Sequence, residues 1–85
     1  MNYKYGDVVL YIRDLKYFYD AGLYEIVYIY PDGKILAKLY HGEPCELFHD
    51  EIFEKMSYER AKELGLKTVV DLLKYAEETK PEFFI

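Results

Sequence analysis

Alternating apolar and polar positions in the first half of the chain predict β-strands. Residues 7–13 alternate with a period of two, which is typical of a half-buried strand. Residues 23–41 contain two runs rich in β-branched and aromatic residues, one on each side of Pro31-Asp32-Gly33, and this combination predicts a β-hairpin. In the turn, Pro31 pre-sets φ, Asp32 can accept a backbone hydrogen bond, and Gly33 supplies the left-handed position of a bulged loop.

The hairpin turn also predicts which side chains face each other across the two strands. The more aliphatic face, which is expected to join the core with Leu23, pairs Ile29 with Ile35, Val27 with Ala37 and Glu25 with Leu39. The opposite face is expected to pair Tyr28 with Leu36, Ile26 with Lys38 and Tyr24 with Tyr40, near Tyr30 and Lys34.

The rest of the chain predicts a loop, short strands and then helices. Residues 14–22 have no clean period and end at a glycine, so we expect a long loop there. Residues 41–44 predict a turn and residues 45–48 a short strand, whereas residues 49–56 fit either a helical turn followed by a last strand or the start of a helix.

Capping residues mark two helices in the last third of the chain. Ser57 is a good N-cap, and Gly65 stands where a C′ glycine ends a helix. Thr68 and Asp71 form a capping-box pattern that opens residues 69–78, and Pro81 stops this second helix. Its apolar stripe is expected to contain Val69, Leu72, Leu73 and Ala76. The apolar tail Phe83-Phe84-Ile85 is expected to pack onto the rest of the fold or onto another subunit.

This order of elements resembles an SH3-like small barrel. The segment Lys4-Tyr5-Gly6-Asp7-Val8-Val9 resembles the first strand of that class, residues 14–22 its longest loop, and Leu47-Phe48-His49-Asp50-Glu51-Ile52-Phe53 its short helical turn. The resemblance implies a mainly β (α+β) fold, an SH3-like five-stranded barrel over about residues 3–56. Two short helices over 57–80 and the tail 81–85 would form a C-terminal extension of a single domain, 1–85. Such a fold does not by itself define a function.

Composition and charge narrow the function classes. The 85-residue chain is 52% hydrophobic and 19% aromatic, which excludes intrinsic disorder. Its net charge is −5, and because residues 1–41 are neutral the whole excess of acid lies in residues 42–85, which disfavours a nucleic-acid ligand. A lone cysteine, no signal pattern and no membrane-length apolar run predict a cytoplasmic protein. Abundant Lys, Tyr, Ile and Glu with little glycine are typical of an AT-rich bacterial or phage gene.

Tyrosine is the residue type that indicates a binding surface, because it combines an apolar ring and a polar tip at low entropic cost. The candidate binding residues are Tyr11, Tyr17, Phe18, Tyr19, Tyr24, Tyr28, Tyr30 and Tyr40. The alternative is that the helices cover this face and make it a second core. The segment Tyr17-Phe18-Tyr19-Asp20 resembles the loop with which SH3 domains hold proline-rich peptides, but the chain lacks the tryptophan that this family supplies to the groove.

Three further chemistries are the alternatives. An acidic patch of Glu46, Asp50, Glu51 and Glu54 would suit a phosphate-mimicking inhibitor of a nucleic-acid-binding protein. The trio His41, Cys45 and His49 has zinc-ligand residue types, but a strand would place successive members about 13 Å apart, at roughly 3.3 Å per residue. Carboxylates at Glu43 and Glu46 disfavour a thiolate nucleophile at Cys45. The sequence therefore predicts a non-catalytic interaction module without metal or cofactor, which binds a protein partner or a second copy of itself.

Overall fold

Five antiparallel strands followed by two α-helices make up the part of the chain that the structure describes. That part covers residues 3–15, 18–39 and 42–84 of a computed structural model. The strands are β1 (Val8–Leu15), β2 (Phe18–Ile29), β3 (Ile35–Leu39), β4 (Cys45–Leu47) and β5 (Ile52–Lys55). A 3₁₀ turn (His49–Glu51) precedes β5, and the helices are α1 (Tyr58–Glu63) and α2 (Val69–Thr79), followed by a 3₁₀ turn (Pro81–Phe84).

The strands form one open sheet in the order β4-β3-β2-β1-β5. A five-stranded antiparallel sheet with C-terminal helices is thus confirmed, but β4 and β5 are its two edges, and no ladder between described residues closes it into a barrel. The prediction of a long loop over residues 14–22 is wrong. Strand β1 continues to Leu15 and pairs with β2 down to the Leu15–Phe18 pair, so the described residues of this segment belong to paired strands. The sequence has aromatic residues at consecutive positions here, which hides a period-two pattern.

The turn between β2 and β3 has the predicted bulged geometry. The Tyr30 amide donates to the Lys34 carbonyl at 2.9 Å, and the Gly33 amide donates to the Tyr30 carbonyl at 2.9 Å. Gly33 has a φ of 92°, a region that favours glycine, and Asp32 Oδ1 accepts from the Lys34 amide at 3.1 Å. The pairs next to the turn, Ile29 with Ile35 and Tyr28 with Leu36, are confirmed.

Further from the turn the predicted pairing is wrong, because the register shifts between Ile26 and Tyr28 and leaves Val27 as a bulge. The observed pairs are Ile26 with Ala37, Glu25 with Lys38 and Tyr24 with Leu39, in place of Val27 with Ala37, Ile26 with Lys38, Glu25 with Leu39 and Tyr24 with Tyr40. A one-residue shift moves every following side chain to the other face. Tyr24 and Ile26 therefore enter the core instead of the predicted tyrosine face.

Two hydrophobic cores lie on the two faces of the sheet, and β1 contributes to both. We call the first the sheet-only core; its buried members are Val9, Tyr11, Tyr24, Ile26, Ile35, Ala37, Leu47 and Ile52. The second, the helix-side core, contains Leu10, Ile12, Ala21, Phe53, Met56, Ala61, Leu72 and Ala76. The prediction of a half-buried first strand is thus wrong, since residues 9–12 are at most 2% exposed on either face. The helices are not an appendage; they cover one face of the sheet.

The helix boundaries follow the predicted capping residues. Ser57 Oγ accepts from the Arg60 amide at 3.0 Å, and Gly65 after α1 has a φ of 73°. Thr68 and Asp71 form the capping box of α2. Of the two alternatives for residues 49–56, the helical turn followed by a strand is confirmed. In the part of the chain that is described, no helix has the length and apolar character needed to cross a bilayer.

Candidate interaction surface

The structure divides the candidate tyrosines into a buried pair and an exposed pair. Tyr11 and Tyr24 are 2% and 8% exposed and meet edge to face in the sheet-only core, with ring centroids 5.4 Å apart. Tyr28 and Tyr30 are 50% and 38% exposed and also meet edge to face, at 4.8 Å. The backbone of Phe18 and Tyr19 belongs to β2, whereas Tyr17 and Tyr40 lie outside the described residues. Among the four candidate tyrosines whose side chains the structure describes, the second pair is the one available to a partner.

The hydroxyl group of Tyr11 has a structural role inside the protein. It donates a hydrogen bond to Glu51 Oε1 at 2.6 Å and accepts one from the Phe48 amide at 3.4 Å. These two bonds connect the middle of β1 to the 3₁₀ turn before β5. The burial of Tyr11 and Tyr24 comes from the sheet itself, because both helices pack on the opposite face. The alternative that helices cover the tyrosine face is therefore wrong for this pair.

The exposed tyrosines lie on the outer surface of the β2–β3 hairpin. Leu36 stands between two sheet-only core residues in β3, so its side chain points to the other face, and its cross-strand partner Tyr28 shares that face. On the other side of β3, Glu46 of β4 is the cross-strand partner of Leu36 and lies on the same face. We define the hairpin outer face as Tyr28, Tyr30, Leu36, Lys38 and Glu46. Helix α2 packs mainly on β2 and leaves this face accessible.

The acidic candidates are dispersed over the structure. Glu51 binds the Tyr11 hydroxyl group on the sheet-only side of the sheet. Glu54 of β5 is the cross-strand partner of Leu10 in β1, so it lies on the side of the helix-side core. There Glu54 Oε1 accepts a hydrogen bond from the Tyr75 hydroxyl of α2 at 2.9 Å. Burial, followed by this bond to Glu54, raises the pKa of Tyr75.

Glu46 is exposed on the hairpin outer face, and the backbone of Asp50 belongs to the 3₁₀ turn. Two of the four acidic candidates, Glu51 and Glu54, thus hold structural elements together from opposite faces of the sheet. Sequence reasoning missed these two hydrogen bonds, because the partners are 40 and 21 residues apart in the chain.

A charged cavity of about 530 Å³ lies between the first turn of the chain and the start of α1. Asp7, Glu25, Lys55 and Glu59 are among its lining residues. Asp7 Oδ2 accepts from the Lys4 amide at 2.8 Å and pairs with Lys55 Nζ at 3.2 Å. The Lys4 amide and, after it, the Lys55 ammonium group lower the pKa of Asp7 below its usual 3.8. The ion pair fastens the entry to β1 onto the end of β5.

A second cavity, of about 390 Å³, lies at the tip of the β2–β3 hairpin on the sheet-only side, and we call it the hairpin-tip cavity. Its lining residues are Tyr3, Ile29, Asp32, Gly33, Ile35 and His49. His49 Nε2 lies 2.5 Å from the Gly33 carbonyl oxygen, and since a carbonyl only accepts, Nε2 is the donor. Nδ1 of the same ring is buried without a hydrogen-bond partner among the described residues.

The metal and thiol candidates are only partly within the described residues. His41 lies outside them, Cys45 is half-buried against the sheet-only core, and His49 is bonded to Gly33. Residues 3–15, 18–39 and 42–84 contain no group of three or more metal-ligating side chains that could hold an ion. The described part of the trio thus has packing and turn-stabilising contacts.

Comparison with known proteins identifies no relative. No family model, no curated protein and no solved structure matches the chain. The fold and the surfaces described above, an open five-stranded antiparallel sheet with helices on one face and an exposed aromatic pair, therefore carry the functional argument.

Proposed function

We propose that the protein is a non-catalytic interaction module that binds a protein partner through the hairpin outer face. The observation that carries this proposal is the exposed edge-to-face contact of Tyr28 with Tyr30. Each ring restricts the other before any partner arrives, so the pair loses less side-chain entropy on binding than two isolated tyrosines would. Tyrosines in such positions are typical energetic hot spots of protein interfaces.

The charges around the aromatic pair favour a protein over a nucleic acid. The same face carries charges of both signs, from Lys38, its cross-strand partner Glu25 and Glu46, which suits the mixed polar rim of a protein interface. The chain as a whole carries a net charge of −5, which opposes binding to phosphate backbones.

We further propose that the sheet is related to the SH3-like small barrels, with the β1–β2 hairpin in place of their long loop. The strand order, with β1 between β2 and β5, and the 3₁₀ turn ahead of β5 support this relationship. It remains a proposal about the fold and adds no ligand to the one proposed above.

The test is a tyrosine double variant in an association assay. Wild-type protein is first measured by light scattering coupled to size exclusion, and then used as bait for partners in a lysate. We expect Tyr28→Ala/Tyr30→Ala to weaken the observed association, with a partner or with a second copy, by a factor of about 30 or more, since paired hot spots contribute roughly 2 kcal/mol or more.

The matched control is Tyr5→Ala, because Tyr5 is 77% exposed and lies outside the hairpin outer face. It should bind like wild type. Association that survives in the double variant, or that Tyr5→Ala weakens equally, would contradict the proposal. Urea unfolding of each variant shows whether a loss of association reflects a loss of folded protein.

The acidic-inhibitor hypothesis rests on net charge alone, because its residues do not form one patch. It predicts association that weakens steeply with salt and with charge reversal at Asp50, Glu51 and Glu54. An interface centred on Tyr28 and Tyr30 predicts weak salt dependence instead, so repeating the association assay at low and high salt separates the two.

A further inference from the structure

The hairpin-tip cavity lies at the same end of the β2–β3 hairpin as the exposed tyrosine pair, on the other face of the sheet. We propose that it receives a lysine or arginine side chain of the protein partner, an inference that rests on the function proposed above. A partner that clasps the hairpin tip would then contact Tyr28 and Tyr30 on one side and insert a basic side chain on the other.

His49 and Asp32 are the residues that bring polar groups to the cavity. His49 Nε2 donates to the Gly33 carbonyl, and Nδ1 of the same ring is buried without a hydrogen-bond partner among the described residues. Asp32, at the same cavity, contributes a carboxylate whose Oδ1 already accepts from the Lys34 amide. A ligand that supplies several donors and a positive charge complements the Asp32 carboxylate, and lysine and arginine side chains do so.

The apolar part of the cavity suits the aliphatic stem of such a side chain. Ile29, Ile35 and the ring of Tyr3 line it, and its volume of about 390 Å³ is within the range of small-ligand sites, about 300–1,000 Å³. Tyr3 already has the ammonium group of Lys55 at 5.8 Å from its ring centroid, which shows that a cation can approach this ring. The described lining includes one carboxylate and no lysine or arginine.

Lys34 is an internal competitor for the Asp32 carboxylate of this site. Its Nζ lies 4.0 Å from Asp32 Oδ2, and both side chains are about 60% exposed, at 59% and 61%. A pair this long and this exposed contributes little free energy, so an incoming cation can displace it. Removal of the Lys34 ammonium group should therefore strengthen the binding of a cation at Asp32.

The experiment is an NMR titration of the whole protein with two capped amino acids. The probe is Nα-acetyl-lysine methylamide, and the control is Nα-acetyl-norleucine methylamide, which keeps an aliphatic chain without the charge. We expect saturable shifts of the Gly33 amide and the His49 ring protons with the lysine probe, in the millimolar range. Norleucine should bind at least fivefold more weakly. Equal binding of both compounds, or no saturable shift at these residues, would overturn the proposal.

Two variants of opposite expected effect complete the test. Asp32→Asn keeps an oxygen that can accept from the Lys34 amide, so the turn is retained, yet it should lower the affinity for the lysine probe by about two- to fivefold. Lys34→Gln should raise that affinity by a similar factor. Unchanged affinity in both variants would contradict the assignment of Asp32 as the anionic partner.

The failure of this site and the failure of the proposed function are distinguishable. The variant Tyr28→Ala/Tyr30→Ala should bind the lysine probe as wild type does, because these residues do not line the cavity. If the probe binds but the double variant keeps its partner, the tyrosine interface is wrong and the cation site stands. If the tyrosines prove essential but Asp32→Asn binds the partner as tightly as wild type, the cavity does not hold a basic side chain of that partner.

Discussion

At the scale of single residues, surroundings decide what each tyrosine does. Tyr11 and Tyr28 have the same side chain and both lie in strands, yet the first is 2% exposed with its hydroxyl group bonded to Glu51, and the second is 50% exposed. A buried phenol needs an internal partner because water cannot satisfy its hydroxyl group. Tyr11 and Glu51 thus belong to the architecture, while Tyr28 and Tyr30 can contribute their area to an interface.

Removing the Tyr11 hydroxyl group should therefore destabilise the protein. We expect Tyr11→Phe to lower the free energy of unfolding by about 1.5–3 kcal/mol, the usual range for a buried hydrogen bond to a charged group. The matched control is Tyr28→Phe, which removes an exposed hydroxyl group and should change stability by less than about 0.5 kcal/mol. Urea unfolding of the three proteins measures both values, and equal stability of the two variants would refute the structural role of the Tyr11 hydroxyl group.

At the scale of elements, the features that depend on neighbouring residues could be predicted, and those that depend on distant ones could not. The Pro31-Asp32-Gly33 turn, the Ser57 cap and the Thr68–Asp71 capping box all involve contacts within four residues. The bulge at Val27 has no local signature, because it is defined by where β3 pairs. That single residue reversed the predicted faces of Tyr24 and Ile26, and it removed Tyr24 from the candidate tyrosine surface.

The capping box of α2 gives an element-scale prediction. Thr68 Oγ1 accepts from the Asp71 amide at 3.2 Å, and Asp71 Oδ2 accepts from the Lys67 and Thr68 amides at 2.9 and 3.1 Å. Those two backbone bonds, Lys67 first, lower the pKa of Asp71. We expect Thr68→Ala to cost about 1 kcal/mol in thermal or urea unfolding, whereas Thr68→Ser, which keeps the acceptor, should remain close to wild type. Indistinguishable stabilities of the two variants would argue against the cap.

The acid side of the stability curve should depend on the same carboxylate. Since its pKa is lowered in the folded protein, the contribution of Asp71 is present above its unfolded pKa, near 3.8, and is lost as the pH falls through the folded value. Asp7, whose pKa is lowered as well, acts in the same direction.

At the scale of the whole molecule, β1 connects the two hydrophobic cores, because its side chains point alternately into each of them. Val9 and Tyr11 contribute to the sheet-only core, and Leu10 and Ile12 to the helix-side core. An open five-stranded sheet in an 85-residue chain leaves one face exposed unless another layer covers it, and α1 and α2 supply that layer. The sequence predicted both helices but could not indicate which face of the sheet they cover, because that depends on contacts between residues far apart in the chain.

If the helices are part of one cooperative unit, loosening α2 should destabilise the sheet as well. Leu72 is 8% exposed in the helix-side core, so Leu72→Ala should lower the free energy of unfolding by about 2–3 kcal/mol through lost burial and the cavity left behind. Val70→Ala, at a residue 58% exposed on the same helix, is the matched control and should change stability by less than about 0.5 kcal/mol.

The informative measurement is urea unfolding followed by far-UV circular dichroism, which reports helix, and by near-UV circular dichroism of the buried tyrosines. Coincident transitions in the Leu72→Ala protein would show that helices and sheet unfold together. Helix signal lost at lower urea than the tyrosine signal would show instead that the sheet folds without its helical layer.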